Sequence, residues 1–495
     1  VVRAVRSRCG TNFAVLVRLN GRDVALEGGI TPDLAARYAA LAADAGADAI
    51  HVTAYSSITG GTGFTEGPLP WLDCQYEDLA RTVKTAVDVP VIAVGRIRPD
   101  DGERIISDGG ADLIAMGRQL LADPDLPNRL AGGRPDLVRP CINCFVCVAQ
   151  NFWNAAPVCA VNARLGHQDQ PEPTPAPTPG HVVVVGGGPG GMEAARVAAE
   201  RGHRVTLLER SDHLGGTARF SSLTTPLNGD LVRYLIAAIT EAGVDVRTGT
   251  TVAPAMVAAL RPDAVVVATG AIRSRPDVPG AELPHVLSGD DLRSLLTGEG
   301  DLGVRRPGVV VRAVLTAGRL LGITSDVERV RLLSRRWMPL GSRVVVVGGG
   351  LVGTELAEFL AERGRTVTVL EEGTHLATEM AHPRRWRTLH EARSHGVEFH
   401  TGTRLAAITP NDVVAEMTVE TSDGRASRDE PEVLEQRFAA DAVLLAGGVE
   451  PDRSLAEAIE AALEDDVTVH VVGDADTVGY IEGAIRTGHA VGCHL

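Results

Sequence analysis

The sequence predicts an α/β protein in which parallel sheets alternate with crossover helices, and three observations carry that prediction. Valine-rich strand segments recur between alanine-rich helical ones along the chain. Two glycine-rich turns, at Gly186 to Gly191 and Gly348 to Gly353, each follow a run of valines and open a helical stretch. Four cysteines, Cys141, Cys144, Cys147 and Cys159, stand between the first set of βα units and the first glycine turn. At 495 residues the chain is too long for one core, so about three domains are expected. A hydrophobic fraction of 44% with 3% aromatic, and 55 glycines, suits central valine strands packed on small-residue helices.

The first elements are four strand-like segments, 13–19, 49–54, 89–97 and 111–117, separated by helical stretches such as 31–45 and 78–87. These four βα units read as half of a parallel barrel. Their strands end in Arg18, Gly95-Arg96 and Gly117-Arg118, at the carboxyl rim where such barrels keep their sites. Two glycine–arginine steps on successive strands make a phosphate cradle, because Gly lets backbone N–H groups approach an oxyanion and Arg adds charge. Arg18 could stabilise the negative charge that reduction places on a flavin ring. Pairing of these arginines with neighbouring carboxylates is the plainer alternative, and it stays open. His51 and Tyr55 lie at or near a strand end and could face a flavin, although as core or rim residues they need no such role. The glycine-rich segment 56–64 reads as a loop over that site.

The next element is the thiol segment. Cys141, Cys144 and Cys147 are each separated by two residues, and Cys159 follows after a longer excursion. Three closely spaced thiols plus a distant fourth suit an iron–sulfur cluster, whereas structural zinc more often takes two separated Cys pairs or Cys/His mixtures. Zinc and inert buried thiols remain alternatives; Cys9, Cys74 and Cys493 are scattered and carry no expected chemistry. Clustered rather than disulfide-spaced cysteines indicate a reducing compartment, and no apolar run approaches the roughly eighteen residues of a membrane span. A net charge of −15 argues against nucleic acid or an anionic membrane as partner. A cytoplasmic protein acting on a small molecule is therefore expected, and a homo-oligomer is left open.

After a proline-rich spacer at 170–180 comes the first fingerprint. Gly186 makes the tight turn, Gly188 lets a pyrophosphate approach the helix, and Gly191 permits close helix–strand packing, with Glu209 ending the next strand to accept ribose hydroxyls. The second copy uses Gly348, Gly350 and Gly353, with Glu371 in the acidic position. Glu371 favours NADH because a carboxylate repels a 2′-phosphate, a preference that Arg384 and Arg385 could soften. Neither region holds a redox-active Cys pair, which disfavours a disulfide reductase.

The stretches Val91-Ile92-Ala93-Val94-Gly95-Arg96-Ile97 and Ala111-Asp112-Leu113-Ile114-Ala115-Met116-Gly117-Arg118, then Leu121-Ala122-Asp123-Pro124 and Arg139-Pro140-Cys141, carry a resemblance. In that order they resemble the old yellow enzyme family, in the multidomain branch of 2,4-dienoyl-CoA reductase and trimethylamine dehydrogenase. The resemblance implies that Arg18, Gly95, Arg96, Gly117 and Arg118 contact FMN and that the four cysteines hold a [4Fe-4S] cluster. The spacing of Cys144 and Cys147 is nearer to the trimethylamine dehydrogenase pattern. Gly216, Thr269 and Gly270 are similar to residues that flavoprotein reductases place around FAD. Gly473 and Asp474 resemble the segment that returns to FAD after an inserted NAD(P)H-binding fold, with the Asp on the ribityl chain.

The expected fold is the C-terminal half of a TIM (β/α)8 barrel, a 4Fe-4S segment and two Rossmann-like domains. Its segments are 1–135 for the partial barrel, 136–180 for the cluster and linker, 181–290 and 448–495 for the FAD fold, and 291–447 for the NAD(P)H fold. The chain opens at Val1 where the family has the fifth strand next, so a truncated form is expected, and the family's catalytic tyrosine has no counterpart to number here. The implied activity moves electrons from NAD(P)H to FAD, to the cluster, to FMN and onto an activated C=C bond. The rival readings are amine oxidation of the trimethylamine dehydrogenase type, and an electron-transfer subunit without its own substrate site.

Overall fold

A computed structural model describes the chain except residues 25, 57–71, 168–171, 298–315, 319–323, 325 and 419–432. Nearly all of the loop 56–64 therefore lies outside the described residues. The chain divides into two compact units, Val1–Leu120 and Leu121–Leu495.

The first unit is built on four parallel strands in chain order: β1 (Leu16–Val24), β2 (Ala49–Ser56), β3 (Val91–Ala93) and β4 (Leu113–Ile114). Helices Pro32–Asp44, Glu77–Lys84 and Pro99–Ser107 connect them, and Ala35, Ala39, Ile50, Val52, Val91, Ala93 and Ile105 fill the space between. Small alanines on the helices let them lie close against β-branched strand faces. Thr31 caps the first of these helices, its hydroxyl accepting the Leu34 N–H at 3.4 Å. β1 begins later than the sequence suggests and continues to Val24 because Asp23 accepts the Ile30 N–H (2.9 Å) and the Asn20 amide (2.9 Å), sustaining pairing past a register shift.

The second unit contains two five-stranded parallel sheets. One runs β19-β8-β5-β6-β7, with β5 at His181–Val185, β6 at Arg204–Leu208, β7 at Asp245–Arg247, β8 at Ala264–Val267 and β19 at Thr468–Val471. The other runs β10-β17-β11-β12-β13, with β10 at Val286–Ser288, β11 at Arg343–Val347, β12 at Thr366–Leu370, β13 at Glu398–His400 and β17 at Ala442–Leu445. β19 pairs with β8, so the first fold is completed only after the second has been made. A two-stranded ribbon, β9 (Ile272–Arg273) with β18 (Val449–Glu450), marks the two crossings.

Two boundaries differ from the sequence reading. β10 precedes residue 290 yet pairs with β17, so the switch between folds comes before β10. Residues after Leu120 pack with the second unit, since the Asp123 carboxylate accepts the Arg139 N–H at 2.9 Å and Asn162 donates to the Leu121 carbonyl at 2.9 Å. The antiparallel sheet β14 (Thr403–Ile408), β15 (Asp412–Thr418) and β16 (Val433–Ala439) was not anticipated. Pro410-Asn411 between β14 and β15 was the available turn signal. No helix among the described residues is long and apolar enough to cross a membrane.

Candidate active site

Register places Arg18 directly opposite His51, each the third residue of its strand. Arg18 does not end β1 as the sequence reading has it, because β1 runs on to Val24; Tyr55 lies nearer the carboxyl end of β2, opposite Asp23. Burial, then the Arg18 charge, lowers the His51 pKa, and its Nε2 is buried with no hydrogen-bond partner among the described residues. Gly95 (φ 132°) and Arg96 (φ 55°) turn the chain through the left-handed region, where Arg96 reaches Asp73 at 2.8 Å. A Cβ on Gly95 would sit 3.0 Å from the Tyr76 ring, so only glycine fits without displacing that ring. Burial pushes the Tyr76 hydroxyl up to about 12; it too is orphaned, and Arg118 acts on it in the opposite sense. Gly117 has open space where a side chain would stand. Orphaned polar groups, a left-handed glycine–arginine turn and an open glycine make a rim that fits a flavin phosphate. Tyr76 was missed by sequence reasoning, since nothing in its local pattern distinguishes it from a helix-capping aromatic.

In the thiol segment Asn143 (φ 53°) and Phe145 (φ 64°) turn the chain between the cysteines. Ile142, Ala160 and Val161 anchor the segment in the core of the first nucleotide fold, with Cys141, Cys144 and Cys159 packed against it. Burial pushes the Cys144 thiol up to about 11, while the Val146 N–H favours its thiolate. Burial also raises Cys159, opposed by the N–H groups of Val161 and Asn162. Cys141 and Cys159 act electrostatically on Cys144, and Cys141 and Cys147 on Cys159, so all four thiols share one neighbourhood. Among the described residues no three His, Cys, Asp or Glu side chains converge on one metal ion. A single tetrahedral zinc would need thiolates about 3.8 Å apart, given its bond length; the corners of a four-iron cluster are wider. All-thiol donors, each buried one served by backbone N–H groups, have the chemistry of a cluster site.

The two glycine turns superimpose in register, pairing Gly186 with Gly348, Gly191 with Gly353, Glu209 with Glu371 and Leu214 with Leu376. A Cβ on Gly191 would meet the Gly186 carbonyl oxygen at 1.9 Å, and one on Gly353 would meet that of Gly348 at 1.8 Å. Both helices thus lie too close to their strand for any side chain. The Glu209 carboxylate accepts the Gly187 and Ser211 N–H groups at 2.7 and 2.8 Å, and Glu371 accepts those of Gly349 and Gly373 at 2.6 and 2.8 Å. Each acid is therefore held at the strand end facing its own glycine turn. Gly216 (φ 51°) packs against Gly188, Gly270 (φ 77°) follows Thr269 after β8, and Gly473 (φ 65°) donates to Thr487 at 2.9 Å. Asp474 accepts the N–H groups of Gly479 and Tyr480 at 2.9 and 3.0 Å.

A cavity of about 700 Å³ brings these parts together within the second unit. Thr217 and Asp474 line it from the first fold, Glu355 and Glu379 from the second, and Ile142 with Cys144 from the thiol segment. Arg384 also reaches it, ion-paired with Glu355 and donating to Thr225 at 3.1 Å. Arg385 donates through Nε to the Leu376 carbonyl at 2.7 Å. Arg385 thereby stands next to Leu376, whose side chain packs against Gly349 of the second glycine turn.

Comparison with known proteins agrees with this layout. Residues 1–137 match the NADH:flavin oxidoreductase / NADH oxidase family, 181–262 the FAD dependent oxidoreductases, and 255–474 the pyridine nucleotide-disulphide oxidoreductases. The chain is 32% identical to an NADH oxidase of Thermoanaerobacter brockii, across 99% of this chain and 68% of that protein. It is 32% identical to a bilirubin reductase of Mediterraneibacter gnavus (strain CC55_001C), across 94% and 64%. A solved 2-naphthoyl-CoA reductase, in complex with 2-naphthoyl-CoA, aligns with TM-score 0.81 at 26% identity, covering 100% of this chain and 67% of that one. The chain thus spans about two thirds of the length of the relatives it matches.

Proposed function

The chain belongs to the NADH:flavin oxidoreductase / NADH oxidase family, in its 2,4-dienoyl-CoA reductase and trimethylamine dehydrogenase-like branch, and from that premise we propose a relay enzyme. It is a NAD(P)H-dependent flavin oxidoreductase, and the finer reading is transfer from NAD(P)H through FAD, a [4Fe-4S] cluster and FMN to an activated C=C bond. When bound, these groups supply hydride acceptance, single-electron transfer and hydride delivery respectively. The observation that carries the reading is the cavity whose wall joins both nucleotide folds to Cys144.

In this reading Glu209 holds the FAD ribose and Asp474 its ribityl chain. Glu371 holds the ribose of the nicotinamide dinucleotide and repels a 2′-phosphate. Cys141, Cys144, Cys147 and Cys159 grip the cluster, and the low-polarity wall around Ile142 excludes water between it and the flavin. Arg18, Arg96 and Arg118, with Gly95 and Gly117, hold FMN by charge and backbone approach. The acceptor in this reading carries an activated C=C bond of the enoate or dienoyl-CoA type.

Anaerobic reconstitution with flavins, iron and sulfide, followed by NADH titration, tests this. The expected result is FAD and FMN in equal amounts, about four irons per chain, and bleaching of both flavins by NADH. In Cys144→Ala, iron is lost and only FAD bleaches. Bleaching of FMN in that variant at the rate of the parent overturns the relay. Bleaching by a secondary amine but not by NADH establishes the amine-oxidation alternative instead.

A further inference from the structure

The register between the two nucleotide folds breaks at one informative place. Thr217 in the first fold corresponds to Glu379 in the second, and both face the same cavity. Beside the first helix, Pro189–Glu200, a Cβ on Gly188 would meet nothing within 4 Å, leaving room for a pyrophosphate. Beside the second helix, Leu351–Ala361, the same position is filled: a Cβ on Gly350 would meet the Glu379 carboxylate at 2.9 Å. That carboxylate accepts the Leu351 N–H at 3.1 Å. A negative charge thus sits on the helix N-terminus where a dinucleotide pyrophosphate has to bind.

A second residue stands beside it. Burial first, then the charge of Glu379, pushes the Tyr480 hydroxyl up to about 12, so the phenol lies next to that carboxylate. Tyr480 is a non-glycine residue in the left-handed region (φ 54°), and Asp474 holds its N–H in that conformation at 3.0 Å. Backbone strain of this kind persists only where surrounding contacts impose it. Tyr480 comes from the segment that completes the first fold, so the surroundings of the occupied anion site of the second fold are built from parts of both.

We propose that Glu379 is an internal competitor for the pyrophosphate of the incoming dinucleotide, held on the helix N-terminus by the Leu351 N–H and displaced whenever the nucleotide binds. This rests on the reading of the second fold as the NAD(P)H site. The role sets affinity: the nucleotide must evict a like charge from the helix N-terminus, so it binds more weakly than an identical fold with a neutral residue would allow. It also selects against extra negative charge at that end of the ligand.

The test uses the full chain loaded with FAD, so that the first fold is occupied. Binding of ADP-ribose, which carries the pyrophosphate, and of adenosine, which does not, is measured by calorimetry for the parent, Glu379→Gln, Glu379→Ala and Tyr480→Phe. Both Glu379 variants are expected to bind ADP-ribose about tenfold more tightly. Adenosine affinity should change less than about twofold, and the ADP-ribose gain should shrink at high salt. Tyr480→Phe, which leaves the Glu379 carboxylate on the helix N-terminus, should change ADP-ribose affinity less than about twofold. Unchanged or weaker ADP-ribose binding in both Glu379 variants overturns the competitor role while leaving the nucleotide site intact. Failure of ADP-ribose to bind the parent and every variant instead removes the nucleotide-site reading itself.

Discussion

The first nucleotide fold locks its glycine-turn helix into the core with paired charges, whereas the second turns the corresponding charges toward a cavity. Glu193 of the first helix is buried, bonded to Arg196 at 2.6 Å and facing His489 at 3.3 Å on the C-terminal helix Tyr480–His494. Arg196 and His489 both hold the Glu193 carboxyl well below its usual range despite the opposing effect of burial. The residue in register with Glu193 is Glu355, whose partner Arg384 lies on the cavity wall beside Cys144. The residue in register with Arg196 is Glu358, an acid where the first fold has a base. One architecture thus seals its helix charges in one copy and opens them onto the cavity in the other.

The strongest way to break this comparison is at the closest backbone approach. Gly191→Val should abolish FAD retention and soluble expression, because its helix lies in the largest core cluster, while Gly353→Val should keep FAD and lose reduction by NADH. Flavin-to-protein ratios and anaerobic bleaching separate the two outcomes. Loss of FAD in both would mean that the folds are not independent.

Next in size is removal of the helix acids. Glu193→Ala leaves the buried Arg196 guanidinium with only the exposed Glu200 as a carboxylate partner, at 2.7 Å, and should cost about 3 kcal/mol in urea unfolding. Glu355→Ala opens onto a cavity that water can enter and should cost about 1 kcal/mol. Equal losses would contradict the distinction between sealed and open charges.

A smaller effect concerns nucleotide choice. Glu371→Gln removes the repulsion of a 2′-phosphate while keeping an acceptor for the Gly349 N–H, so the NADH-to-NADPH ratio of kcat/KM should fall about tenfold. Because Arg384 is engaged by Glu355 and Thr225, replacing it should leave that ratio within about twofold.

The mildest prediction follows from Glu358. Burial first, then the charges of Glu391, Glu362 and Glu355, pushes its carboxyl up to about 8. The folded chain therefore binds this proton more tightly than the unfolded one, and the associated stabilisation is full below the unfolded pKa near 4.5 and is lost as pH climbs through about 8. Thermal melts from pH 5 to 8.5 should show a declining Tm that Glu358→Gln flattens. An unchanged slope in that variant would assign the decline to other groups.

Most of the parallel architecture was legible in the sequence. Valine runs such as His181–Val185 and Arg343–Val347 are buried central strands, and short strands flanked by glycine turns leave little choice of conformation. The acids Glu209 and Glu371 could be placed because a strand end fixes their direction. The sheet β14-β15-β16 was less legible, since the β16 face is mostly exposed and offers no apolar alternation. Tyr76 and Glu379 were illegible for a different reason: each acts on a residue brought near by a turn, with nothing in its own neighbours to announce it.

By itself, the sequence determined the alternation of the parallel strands with their helices, the two glycine turns with their acids, and the grouping of three thiols. All of these depend on spacing along the chain, which periodicity and steric need for glycine make readable. Only the tertiary structure decided that β19 returns to complete the first fold, that Cys144 lines the same cavity as Glu355, and that Glu379 sits on the helix N-terminus of Leu351. Those are contacts between distant segments, fixed by how sheets and helices pack rather than by any local pattern.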